Sequence, residues 1–143
     1  EGDIEKLEEI ADVTSVASLC ALGQTAANPM LTTIRHFRNE YEAHIKEKRC
    51  PSLVCKGLIS YYIDPEKCNA CMLCFKNCPA SAITGEKMKI HMIDQSKCTK
   101  CGTCYDVCPP KFRAVQKISG EPVPLPLPEE ERLTKRVVKD KSE

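Results

Sequence analysis

The run Cys68-x2-Cys71-x2-Cys74-x3-Cys78-Pro79 returns 30 residues later as Cys98-x2-Cys101-x2-Cys104-x3-Cys108-Pro109. The repeat reaches upstream as well, because Ile63-Asp64-x3-Cys68 is matched by Ile93-Asp94-x3-Cys98. An internal duplication is the simplest account of two such loops in one short segment. Eight thiols this closely spaced must be used for something. Disulfides need an oxidising compartment, which nothing in the chain supports, and the chain's 11 cysteines are an odd number. All-cysteine zinc sites usually pair two Cys-x2-Cys knuckles across a longer loop, which is not the spacing of either run.

Three thiols at two-residue gaps can instead curl the backbone around one corner of an iron–sulfur cube. The fourth cysteine of each run leaves on a helical turn, out of reach of the same cube. In the bacterial two-cluster arrangement that fourth thiol ligates the other cluster. Cluster one is therefore expected on Cys68, Cys71, Cys74 and Cys108, and cluster two on Cys98, Cys101, Cys104 and Cys78. With all eight positions matched, residues 58–118 resemble a two-cluster [4Fe-4S] ferredoxin domain. Potentials of roughly −400 mV or below are expected for such cubes. Residues 58–118 hold nine Lys/Arg against five Asp/Glu. Each oxidised cluster with its four thiolates brings about −2, so the loaded domain is close to neutral. Freely diffusing ferredoxins are often strongly acidic, and this segment is not. Lys97 and Lys100 offer either a docking face for an acidic redox partner or an ordinary solvated lysine face.

Composition limits the rest. With 143 residues, 5% aromatics and no Trp, the chain has room for one modest domain or two small modules that need outside support. Lys+Arg 21 against Asp+Glu 20 gives no basic field for nucleic acid. The apolar run from Val16 to Leu22 is far short of the ~20 residues of a membrane span. Glu1, Asp3, Glu5, Glu8 and Glu9 are acidic where a signal peptide is basic, so a cytoplasmic chain is expected.

The expected fold class is α+β. Ile4, Leu7, Ile10 and Ala11 mark one face of a helix over residues 3–22, with Gly23 as its stop. Asn28-Pro29 opens a second helix with Met30, Ile34, Phe37, Tyr41 and Ile45 on one stripe, closed by Cys50-Pro51. This small helical module, 1–48, is followed by a connector over 49–57 and by the duplicated ferredoxin-like domain over 58–118. Short strands are expected at Leu58–Ile63 and Lys89–Ile93. Pro122, Pro124, Pro126 and Pro128 favour an extended Pro-rich tail over 119–143, either solvated or laid across a neighbouring subunit, with a frayed helix after Glu129.

Cys20, Cys50 and Cys55 remain. Cys20 stands in Ser18-Leu19-Cys20-Ala21-Leu22-Gly23-Gln24, and Phe37-Arg38-Asn39-Glu40-Tyr41-Glu42-Ala43-His44-Ile45 follows. These stretches resemble the C-terminal helical part of the NADH- and flavin-binding subunit of respiratory complex I and its soluble relatives. The resemblance implies that Cys20 is the last ligand of a further [4Fe-4S] cluster completed upstream, and that the chain is a C-terminal fragment. Joined to a two-cluster ferredoxin module, the layout resembles the corresponding subunit of multimeric NAD-linked [FeFe] hydrogenases, some of them proposed to bifurcate electrons. NAD-dependent formate dehydrogenases share it. FMN and NAD(H) are implied upstream, and the implied partners are other iron–sulfur subunits and an external ferredoxin.

No phosphate-cradling glycine loop and no nucleophile–base pair is present in these residues, so no catalytic residue is expected and the segment carries electrons. An independent low-potential carrier and a zinc-binding assembly module are the rival readings. His44-x5-Cys50-x4-Cys55 gathers three borderline-soft ligands that suit a tetrahedral structural zinc, with a fourth ligand from outside the chain. Such a metal would pin the connector and confine any swing of the ferredoxin module to a hinge. His36 and His91 are expected to be surface or packing residues.

Overall fold

A computed structural model describes residues 2–133, which divide into two units on either side of Pro51–Ser52. In the first unit, α1 (Asp3–Ala17) ends where Ser18 turns extended, and α2 (Ala21–Thr25) begins after an extended Cys20. The single helix expected over 3–22 is thus broken in two, and Gly23 lies inside α2 rather than at a stop. Its role is close approach: a Cβ on Gly23 would sit 2.6 Å from Ser18 Oγ. That hydroxyl is itself occupied, donating to the Thr14 carbonyl at 2.6 Å.

Helix α3 (Asn28–Lys46) carries Pro29 in its first turn, where the missing N–H costs nothing. Asn28 belongs to the helix rather than capping it, and the helix stops at Lys46, ahead of Cys50-Pro51. Ile34 and Ala43 are buried, as are Ile4 and Ala11 of α1. Phe37, expected on the buried stripe, is 55% exposed because its own backbone leaves helical geometry and rotates the stripe there. Arg38 ties the helices together, reaching Glu5 of α1 at 2.6 Å, Glu8 at 3.0 Å and Glu42 of α3 at 3.3 Å.

The second unit is built on two small antiparallel ladders. Strand β1 (Ile59–Ile63) pairs with β4 (Val115–Ser119), and β2 (Ile83–Thr84) pairs with β3 (Met92–Ile93). Two one-turn helices, α4 (Leu73–Lys76) and α5 (Thr103–Asp106), carry Cys74 and Cys104. Ile59, Tyr61 and Ile63 alternate inward along β1 and meet Ile83, Ala114, Val115, Cys74 and Cys104 in one core. Period-two burial on one face of a two-stranded ladder needs a second layer to cover it, and the cysteine loops themselves supply that layer.

The duplication is visible bond for bond. Asp64 N–H donates to Ala114 O and Asp94 N–H to Ala82 O, both at 2.7 Å. Each carboxylate accepts the amide two residues on, from Glu66 at 3.0 Å and Ser96 at 2.9 Å, in an Asx turn. Each also meets a lysine three residues on, Lys67 at 2.8 Å and Lys97 at 3.6 Å. Lys67 first, then the Glu66 amide, holds the Asp64 carboxyl below the usual aspartate range. A depressed folded value means stability that is complete above the unfolded value, about 3.9, and lost as pH falls through the folded one. Asp64→Ala is expected to cost about 1–3 kcal/mol near neutrality. Urea unfolding at a series of pH values should show that gap closing as the solution is acidified below the carboxylate range.

The proline-rich segment folds back instead of projecting as a tail. Residues 122–128 run without regular structure to a 3-10 turn, Glu129–Glu131. Ile90 N–H then donates to Arg132 O at 2.7 Å, and Lys89 bridges to Leu133. The strap therefore lies on its own unit, and Tyr62, Met92, Val123, Pro124 and Arg132 share a groove along it. The helix expected after Glu129 falls largely on residues 134–143, outside the described residues.

Candidate functional site

Each run winds its cysteines through left-handed backbone at equivalent places. Ala70 and Met72 have φ of 50° and 65°, and Lys100 and Gly102 have φ of 56° and 88°. For the non-glycine residues this conformation costs roughly 1–2 kcal/mol each, so the loop is held against its own preference. Alternating handedness of this kind turns successive amides toward one side and makes the concavity in which anionic groups, iron–sulfur sites included, are held. Glycine is required at 102 on a second ground, since a Cβ there would lie 3.0 Å from Tyr61 Oη.

Inside these loops the thiols are grouped. Cys78 lines one cavity with Cys98, Cys101 and Cys104, closed by Tyr61, Ile83 and Ile93. Burial first, then the neighbouring Cys98 and Cys101, pushes the Cys104 thiol up to about 11, and Cys78 adds to the same shift. On the other side, burial first and then Cys68 and Cys71 push Cys74 up to about 12. Cys68, Cys78 and Cys108 pack against the shared core, while Cys71 and Cys101 are exposed. Thr103 lies 3.4 Å from Cys101 Sγ and lowers its pKa, and Ala82 N–H donates to Cys78 Sγ at 3.3 Å. Crowded, buried thiols of this kind part with their protons to a thiophilic metal, so the donor set fits iron–sulfur cubes.

The remaining cysteines are placed differently. Cys20 is exposed at the start of α2, and the Gln24 amide and side chain bond back to Cys20 O and Ser18 O at 3.0 and 3.1 Å. His44 and Cys50 meet within the first unit, the thiol bonding to the imidazole, and Cys55 follows five residues on in the second. His44 Nδ1 lies 2.7 Å from Glu40 O and donates to it, which leaves Nε2 as the ring atom able to meet a cation. That backbone bond first, then Cys50, raises the His44 pKa. Cys50 is buried, and Cys55 O receives the amides of Leu58 and Ile59 at 2.9 and 3.1 Å. His36 is exposed. His91 is buried beside Cys68, which makes it a packing residue and not a surface one.

The class of protein is now defined: a duplicated iron–sulfur electron-transfer domain, joined in sequence to a helical region carrying one further cysteine at a loop. Residues 61–115 match the 4Fe-4S dicluster domain, and residues 1–44 match the NADH-ubiquinone oxidoreductase-F iron-sulfur binding region. The NADP-reducing hydrogenase subunit HndC of Solidesulfovibrio fructosivorans is 46% identical over 90 residues, 63% of this chain and 18% of that protein. An NADH-quinone oxidoreductase subunit of Streptomyces coelicolor is 47% identical over 50 residues, 35% of this chain and 11% of the relative. Its counterpart in Mycobacterium bovis is 49% identical over 49 residues, 34% of this chain and 11% of the relative. The chain thus spans less than a fifth of the length of the relatives it matches. It is homologous to these oxidoreductase subunits over the stretches matched. Among the described residues no helix is long and apolar enough to cross a membrane.

Proposed function

We propose that this chain is the electron-relay segment of an iron–sulfur flavoprotein subunit in a cytoplasmic, NAD-linked hydrogenase complex. The observation that carries the reading is the company of Cys78, which shares its cavity with the second cysteine run and not with its own. That company supports the assignment of Cys98, Cys101, Cys104 and Cys78 to one [4Fe-4S] cluster and of Cys68, Cys71, Cys74 and Cys108 to the other. When bound, such clusters supply one-electron redox chemistry at low potential. The chain's own residues supply the rest: the αL turns shape the loops, Cys74 and Cys104 anchor each site in the core, and exposed Cys71 and Cys101 bring each site to the surface. Lys100 stands beside one such edge and can receive an acidic partner, an external ferredoxin or a neighbouring iron–sulfur subunit.

Cys20, exposed on its loop, is the final ligand of a further [4Fe-4S] cluster whose other ligands, with the FMN and NAD(H) sites, belong to sequence outside these residues. His44, Cys50 and Cys55 hold a structural zinc that ties the connector, and the meeting of His44 with buried Cys50 within the first unit supports it. Anaerobic iron, sulfide and zinc analysis combined with EPR is the test. About eight iron and one zinc per chain, with visible absorption bleached by dithionite, is the expected result. A colourless, zinc-only protein would overturn it. An NAD-dependent formate dehydrogenase subunit is the second reading; the HndC likeness favours hydrogenase.

A further inference from the structure

The 30-residue offset places Tyr61 and His91 in equivalent positions, and it does the same for Phe75 and Tyr105. Each member of the first pair precedes one cysteine run but packs over the other. Tyr61 faces Tyr105 with ring centroids 6.4 Å apart and approaches Gly102 of the second run. His91 faces Phe75 at the same 6.4 Å, with Nδ1 at 3.9 Å from Cys68 Sγ and Nε2 at 3.1 Å from Met72 Sδ. The two halves therefore match in shape and differ in chemistry. One cysteine loop has a phenol ring against it, and the other an imidazole aimed at a ligand sulfur.

His91 is built into its place. It is 1% exposed, and no side chain fits at the facing Gly85, whose Cβ would lie 2.6 Å from His91 Cδ2. The preceding residue, Ile90, is held by the Arg132 carbonyl of the proline-rich strap. A neutral imidazole has a single N–H to give. Two sulfurs compete for it. A thioether is a weak acceptor, whereas an iron-bound thiolate is anionic and accepts more strongly. Nδ1 is at the long end of the range for a bond to sulfur, and of the two sulfurs it faces the one that becomes charged on binding iron.

We propose that His91 tunes one half of the duplicated domain and not the other, by giving its N–H to the sulfur of Cys68 and raising the potential of the first-run cluster. A hydrogen bond to a ligand sulfur withdraws charge and favours the reduced, more negative cluster, which is the direction of this effect. At the equivalent place the second run has a phenol and no imidazole, because Tyr61 lies against Gly102, the counterpart of Met72, and the sulfurs there have other neighbours, the Ala82 N–H on Cys78 and Thr103 beside Cys101. His91 acts through Cys68 and is a positioning residue. The inference depends on the two-cluster reading above.

The test is an EPR-monitored redox titration of the full chain, prepared anaerobically, with iron and sulfide measured on every sample. In His91→Phe one of the two potentials should fall while the other stays; His91→Gln, which keeps a donor, should restore part of the loss. Tyr61→His, made separately, should raise the other potential and supplies the answer if His91→Phe loses iron. His91→Phe with full iron and both potentials unmoved overturns the proposal, as does an equal fall of both. An iron and sulfide content well short of two cubes in the unmodified chain overturns the cluster reading instead.

Discussion

Cys78→Ala is expected to strip the cluster of the opposite run. Iron and sulfide should fall by about half, and the signal that survives should be that of the site built on Cys68, Cys71 and Cys74. The reasoning is spatial. Cys78 stands in the cavity of Cys98, Cys101 and Cys104, it contributes to the upward shift of Cys104, and the Ala82 amide aims at its sulfur from 3.3 Å. The mirror variant, Cys108→Ala, should remove the other half of the iron. The double variant Cys78→Ala with Cys98→Ala should lose no more iron than either single one, because both residues serve one site and their effects are not additive. If Cys78→Ala instead lowers the cluster that Cys68→Ala lowers, the crossed assignment fails.

Cys50→Ser is expected to release about one zinc per chain and leave the iron content unchanged. Cys50 is 1% exposed, so the variant also places a hydroxyl where a buried thiol stood. His44→Ala removes the proposed imidazole ligand, on a side chain that is only half-buried, and separates metal loss from core damage. Both variants should lose zinc by elemental analysis, and His44→Ala should do so without unfolding the helices. His44→Ala with its zinc intact would show that the ring, already bonded to Glu40 through Nδ1, is held for packing alone.

Much of this was legible in the chain because it is written at short range. The doubled cysteine runs, their prolines and the Ile-Asp pairs ahead of them are local patterns, and their local structure follows: αL turns at matched positions, Asx turns at Asp64 and Asp94, one-turn helices under Cys74 and Cys104. The strand at β1 was legible by its alternation. Strands β2 and β4 were not, since a two-residue strand has no period, and Val115–Ser119 becomes a strand only by pairing with residues more than 50 positions away. The break in the first helix was hidden for a related reason. The apolar residues from Ile4 to Leu22 keep an acceptable helical rhythm, while hydrogen bonds from the Ser18 and Gln24 side chains, with the Gln24 amide on Cys20 O, stabilise the extended turn at Cys20.

The sequence by itself determined the kind of chemistry, because thiols fixed at two-residue gaps can surround very few things, and it determined that the chemistry occurs twice. Only the tertiary structure decided which neighbours each copy receives. The strand ahead of one run folds beside the other, so Tyr61 is delivered to the second loop and His91 to the first, and the strap closes over Ile90. A covalent repeat preserves residue types at a fixed offset; only the crossing of strands converts one substitution between its halves into two unlike surroundings.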